Sequence, residues 1–237
     1  MRFNSILAGA AVAAAVLSSP AALAGALTGN VGAYSAYMFR GVESTPRGTP
    51  AVQGGVDYAM GNGIYAGTWT SNTYNGNELD GYAGYTGTVG SFGYDAGVIY
   101  YLFTEDKESS KAFSDADTFE VYGGGSFGPV SAKVYFSPDL ADSGDSSIYI
   151  TASATLSLND TLSVVPEIGF NTGDGVKKVY GDNYTDYSLS LVKSLKDELS
   201  VSFAIVGTDL SEGDVSGTLK KNDQPKFVVG LKKSFKL

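Results

Sequence analysis

The chain has 237 residues and a net charge of −9, with 25 acidic and 16 basic side chains, no histidine and no cysteine. Disulfides and thiolate sites are therefore excluded, the commonest general base of hydrolases is missing, and the acidic balance offers no footprint for nucleic acid. Glycine (31) and tyrosine (16) are both abundant, a bias that suits a β-barrel wall with aromatic girdles.

Residues 1–24 read as a cleaved secretory signal peptide. Arg2 is the positive start, 6–17 is an Ala-rich apolar run, and Ala22-Leu23-Ala24 is an A-x-A cleavage site. The run is short for a transmembrane anchor, which needs about 20 residues. No later apolar run could form a transmembrane helix, and 25–237 is expected to form a single domain. Beyond residue 24 the sequence alternates apolar and polar residues. That period of two marks strands with one apolar and one polar face.

In chain order the expected strands are 27–40, 51–59, 64–70, 78–89, 92–103, 118–127, 130–137, 148–158, 161–171, 184–195, 199–207 and 226–237. The clearest is 148–158, with Ile148, Ile150, Ala152, Ala154, Leu156 and Leu158 on one face and Ser or Thr beside Tyr149 on the other. In 64–70 the parity is ambiguous, and Tyr65 and Trp69 are placed outward. Pro166 lacks a ladder donor, so a local bulge is expected around it.

The connections alternate. Gly61-Asn62-Gly63, Gly90-Ser91, Gly128-Pro129, Asn159-Asp160 and Lys196-Asp197-Glu198 are tight turns, whereas the other connections are longer, polar and acid-rich. Twelve segments with alternating short and long connections predict an all-β, 12-stranded antiparallel transmembrane up-and-down barrel. It is apolar outside and polar inside, with short turns and both termini in the periplasm. Its expected place is the cell outer membrane, with lipid and lipopolysaccharide as neighbours.

Phe39, Trp69, Phe103, Phe136, Tyr149, Phe170 and Tyr184 are expected in an outer aromatic girdle, and Tyr58, Tyr65, Phe92, Phe127 and Phe235 in an inner one. Lys193 and Lys233 fall on the lipid face near the short-turn ends. A lysine can snorkel there at a cost of about 0–1 kcal/mol, against roughly 2–4 kcal/mol at the midplane. The last strand, ending Phe235-Lys236-Leu237, looks like a signal for the barrel assembly machinery, though that signal more often ends in an aromatic residue.

Several spaced words in the first third carry a resemblance. These are Tyr37-Met38-Phe39-Arg40-Gly41, Gln53-Gly54-Gly55-Val56-Asp57-Tyr58, Gly63-Ile64-Tyr65-Ala66-Gly67-Thr68-Trp69 with Ser71-Asn72, and Glu78-Leu79-Asp80 with Gly84-Tyr85. Over about residues 27–90 the chain resembles the TorF-type porin family of proteobacteria. The resemblance implies an outer-membrane barrel and assigns neither substrate nor functional residues.

The inward charged set comprises Arg40, Asp57, Glu78, Asp80, Asp95, Glu120, Lys133 and Glu167. These are the pore-lining candidates, with Arg40 expected to pair with Asp57 on the neighbouring strand. Six acids against two bases predict a mild cation preference if the lumen is open. The same charges could instead pair across a narrow lumen and fill it, because twelve strands lie between the packed and the open barrel sizes.

The function expected is passive diffusion of small polar solutes. The alternative is a closed barrel with a structural or surface-interaction role through its acidic loops. No catalytic motif, cofactor site or metal site is expected; Asp139, Asp142 and Asp145 lack the spacing of a calcium loop.

Overall fold

The computed structural model of the protein describes residues 25–74, 76–105, 117–211 and 224–237. The expected signal peptide, 1–24, residue 75 and parts of two long loops lie outside the described residues.

The elements in chain order are β1 (Ala26–Tyr34), β2 (Met38–Phe39), β3 (Val42–Glu43), β4 (Ala51–Ala59), β5 (Ile64–Thr73), β6 (Gly76–Val89), β7 (Phe92–Glu105), β8 (Thr118–Phe127), β9 (Val130–Ser137), β10 (Ser147–Ala154), β11 (Leu156–Asn159), β12 (Leu162–Thr172), α1 (Asp174–Tyr180), β13 (Tyr184–Ser194), β14 (Leu199–Thr208) and β15 (Lys226–Lys236). Apart from the small β2–β3 hairpin, every strand joins one antiparallel sheet. β1 pairs with both β4 and β15, and β10 pairs with both β9 and β12, so the sheet closes without a free edge. β10 and β11 are two parts of one stave, which makes twelve staves in the closed barrel. Closure leaves no edge strand unpaired, as a wall in hydrocarbon requires.

The faces sort as period two demands. Leu189, Leu191, Phe203, Ile205, Val229 and Leu231 stand exposed on the outside of β13–β15, whereas Ser190, Ser202, Glu120, Asp95 and Asp80 are buried inside. A continuous exposed apolar belt is untenable in water and is what a barrel presents to lipid. No helix among the described residues is long and apolar enough to cross a membrane; the wall crosses with strands.

Three sequence expectations are corrected. The first strand does not run to residue 40: β1 ends at Tyr34, and the chain turns into the barrel as the β2–β3 hairpin. Arg40 and Gly41 form its two-residue tip, with φ of 47° and 79°. A two-residue hairpin loop with positive φ at both positions has the mirror-image geometry that suits strand twist, but Arg is an unusual first residue for it.

The parity of β5 is also reversed. Tyr65 is buried inward, and Trp69 packs on Tyr37 of the segment leading into the hairpin. The outward face instead carries Thr68 and Thr70. Their hydroxyls donate to the backbone carbonyls of Asp80 at 2.8 Å and Glu78 at 2.6 Å. A threonine satisfied within the wall reads as polar in sequence but presents its methyl to lipid.

Pro166, finally, causes no register shift against β13, where it faces Leu189. The ladder lapses on its other side, where the stave is interrupted at Thr155 between β10 and β11. The missing N–H thus costs pairings without adding a residue.

Four of the expected girdle aromatics also turn inward or leave the wall. Tyr149 and Tyr184 are buried inside, Phe103 packs against the inner tyrosines, and Phe39 belongs to the hairpin. Phe136 and Phe170 near the long-loop ends, and Tyr58, Phe92, Phe127 and Phe235 near the short-turn ends, do face outward. Above the long-loop rim, α1 packs Val176 with Val42, Leu140, Tyr184 and Leu210. Lys177 donates to Asp174 at 2.9 Å and holds that exposed carboxyl below its ordinary value.

Candidate functional site in the barrel interior

One sector of the inner wall, from β5 to β10, is carpeted with tyrosines. Tyr65, Tyr82, Tyr101, Tyr122, Tyr135 and Tyr149 are all buried there around Ile99. They lie flat because glycines leave room beside them. Tyr82 crosses the site of Gly67 and donates to Asp57 at 2.5 Å. Tyr65 covers Gly84 and Tyr122 covers Gly97, so their hydroxyls meet at 2.5 Å over the two intervening staves. Tyr65 also donates to Asp95 at 2.6 Å. Lys133 reaches over Gly124 to pair with Asp95 at 2.5 Å, its ammonium 5.0 Å from the Tyr122 ring centre. A Cβ at any of these glycines would collide with the side chain lying over it. Part of the abundance of glycine and tyrosine therefore has a common cause, since Tyr65, Tyr82 and Tyr122 each need an empty neighbour.

The hairpin lies across the lumen near the long-loop rim, against this sector. Arg40, 5% exposed, donates to both oxygens of Glu120, 1% exposed, at 2.9 and 2.7 Å. Its guanidinium stacks over Tyr149 at 4.3 Å, Phe39 at 4.8 Å and Tyr135 at 5.3 Å. Tyr101 donates to the same Glu120 at 3.1 Å. A buried charge is tolerable when paired and fully hydrogen-bonded, and the aromatic faces add cation–π attraction.

Further latches surround this pair. Tyr37 donates to Glu78 at 3.0 Å, and its backbone N–H donates to Thr45 at 3.0 Å. Lys226 of β15 pairs with Glu43 at 3.0 Å. Gly41 is pressed against Thr208, Asp186 and the carbonyl of Gly207 on the opposite wall, and Tyr37 and Met38 pack on Ala204, Val206 and Val228. The hairpin thus spans from one side of the barrel to the other.

The remaining sector, β12–β15 and β1, is lined differently. Ser163, Ser188, Ser190, Ser202, Thr28 and Asn30 point inward, and the inward ring of β1, Tyr34, lies across Gly32 and Gly230 beside Ser202. Glu167, Lys232 and, on adjoining β4, Asp57 are half-buried along this side.

The expected inward charges therefore divide into groups. Arg40, Glu120, Glu78, Asp95 and Lys133 are brought together around the hairpin and the tyrosine wall, while Asp57 and Glu167 lie half-buried beside the serine sector. The anticipated Arg40–Asp57 pair does not form, because Arg40 sits on the hairpin rather than on the wall and meets Glu120, while Asp57 accepts from Tyr82. Asp80 is fully buried, and neither carboxylate oxygen has a hydrogen-bond partner.

Sequence reasoning passed over Asp186 and Lys232. Asp186 accepts from Tyr149 at 3.2 Å and from Asn171 at 3.4 Å. Both residues share the inward parity of their strands, a signal that could have found them. Among the described residues no group of three or more potential ligands is placed to hold a metal; Asp145 instead pairs with Lys178, and Asp139 accepts from the N–H of Gly144.

Solved structures share this architecture at very low sequence identity. The NanC porin superposes with a TM-score of 0.59 at 12% identity, covering 90% of this chain and 100% of that one. The KdgM porin gives 0.56 at 9% identity, covering 88% and 99%. A KdgM structure in complex with disordered oligogalacturonate gives 0.57 at 9% identity, again covering 88% and 99%. The shared fold is that of outer-membrane barrels, in keeping with the lipid-facing belt. No curated protein sequence matches the chain. The model of the family described as "Bacterial protein of unknown function (Gcw_chp)" matches residues 18–235, nearly the whole barrel, and the chain belongs to that family.

Proposed function

We propose that the protein is a porin-like channel of the outer membrane, passing small polar solutes by passive diffusion along a path narrowed by the β2–β3 hairpin. The observation that carries this reading is a closed wall, apolar outside and largely polar inside, with serines lining one sector and half-buried Asp57, Glu167 and Lys232 beside them. The likeness to porin folds supports it, and the TorF-type resemblance of residues 27–90 points the same way. Orientation with short turns in the periplasm, insertion by the barrel assembly machinery through β15, and contact of the acidic loops with lipopolysaccharide belong to the same proposal.

The direct test is single-channel conductance of the purified, heat-modifiable barrel in a planar bilayer. Reproducible steps are expected, and their absence in well-folded protein defeats the channel reading. A mild cation preference follows from the excess of inward acids, of which Asp57 and Glu167 are the least covered. Replacing both, Asp57→Asn with Glu167→Gln, should move the reversal potential in a salt gradient toward zero; an unchanged potential removes those two residues from selectivity.

One observation favours the closed alternative, a barrel with a structural or surface-interaction role. The hairpin reaches both walls and leaves Arg40 and Glu120 almost wholly buried. Arg40→Ala with Glu120→Ala separates the two readings. A constricted channel gains conductance from this loosened hairpin, whereas an occluded barrel is silent before the change and conducts only after it.

A further inference from the structure

The lipid-facing wall carries only two charged side chains among the described residues, and they are close together. Lys193 of β13 points outward with Tyr187, Leu189 and Leu191, and Lys233 of β15 points outward with Leu231 and Phe235. In register they stand opposite Val201 and Leu199, so they flank the same end of β14. With staves about 4.8 Å apart and the two levels offset by two residues along β14, the two stems are separated by roughly 12 Å. A single phosphate lying over β14 is within reach of both.

Neither ammonium is in an ion pair with a described carboxylate. Lys193 donates to the Thr161 hydroxyl at 2.7 Å, and Lys233 donates to the backbone carbonyl of Asp197. Charge along this rim is one-sided. The turns joining β4–β5, β6–β7 and β8–β9 are Gly61-Asn62-Gly63, Gly90-Ser91 and Gly128-Pro129, with no charge. The β12–β15 side holds Lys193, Lys196, Lys233 and Lys236 against Asp160, Asp197 and Glu198, with Lys232 turned into the lumen. In a chain of net charge −9, this is a basic edge set where acyl chains give way to headgroups.

We propose that Lys193 and Lys233 form a docking site for one anionic phospholipid. Its headgroup phosphate sits over the end of β14, and its chains lie along Leu191, Leu199, Val201 and Leu231. Snorkelling alone would place each lysine in water with no preference for headgroup. A paired site predicts a preference, because each lysine near a charged membrane surface is worth about fivefold in partition. The inference does not depend on whether the barrel conducts.

The test is native mass spectrometry of the full-length barrel, released from bilayers of equal parts phosphatidylglycerol and phosphatidylcholine. The wild type is expected to retain phosphatidylglycerol at least fivefold over phosphatidylcholine, with the preference fading as salt rises. Lys193→Gln with Lys233→Gln should bring the ratio close to one, Lys193→Arg with Lys233→Arg should keep it, and Lys177→Gln on the long-loop side should leave it unchanged. Equal retention of the two lipids by the wild type overturns the proposal even if the glutamine variant fails to insert. A preference that survives both glutamines overturns it as well.

Discussion

The tyrosine sector and the serine sector solve the same problem in opposite ways. Each must present polar groups to the interior of a wall that is apolar outside. From β5 to β10 the solution is large rings laid over glycines, with hydroxyls aimed at Asp57, Asp95, Glu120 and Asp186. Four of those ring hydroxyls donate to a carboxylate, Asp80 being the buried carboxylate left without a partner, and the ring faces remain for stacking. From β12 to β15 the hydroxyls belong to serines, short and independent of one another. The first arrangement is cooperative, because removing one member strands another in a low-dielectric interior. The second is additive. The hairpin region meets the cooperative side with Arg40 and Tyr37 and the other side with Met38, Gly41 and the Glu43–Lys226 pair, so the constriction is held from both walls.

That contrast can be broken at graded positions. Glu120→Ala should have the largest effect, because it leaves Arg40 buried without its carboxylate; a loss of about 3–5 kcal/mol is expected, read as a fall in the midpoint of heat modifiability on gels. Tyr65→Phe removes a donor to a buried carboxylate and should cost about 1.5–3 kcal/mol by the same measurement. Gly124→Val puts a side chain where the Lys133 stem crosses, overpacking the wall by about 1–3 kcal/mol. Combined with Asp95→Asn it should be less than additive, since both act on one ion pair. Ser188→Ala in the serine sector should stay within about 0.5 kcal/mol. If Ser188→Ala cost as much as Tyr65→Phe, the two walls would not differ in kind.

Much of the barrel is legible in the sequence because period two is a local signal and turn chemistry is local too. The twelve staves, the alternation of short and long connections, and the outward faces of β7–β10 can all be read residue by residue. What escapes depends on partners distant in sequence. Thr68 and Thr70 count as polar until β6 is known to accept their hydroxyls, so β5 reads the wrong way round. Tyr37, Phe39 and Arg40 continue the alternation of β1 past its true end, and only Glu78 and Glu120, far along the chain, explain why they leave the wall. The inward charges were found by parity alone, but which of them meet was not, since the Arg40–Glu120 pair joins residues 80 apart in sequence. Asp186 and Lys232 were missed although their parity is as clear.

The bond between Glu43 and Lys226 joins residues 183 apart, and it sits beside the seam where β1 meets β15. The hairpin follows β1 directly, yet the cylinder that encloses it is finished only when the last strand arrives. Bringing ends so distant together carries a large loop-closure entropy, and contacts of that range form late. Glu43 is thus a contact offered by the first part of the chain to the last. The insert is therefore fastened to its far wall only once the last strand is in place, so its final position and the closing of the seam are coupled events.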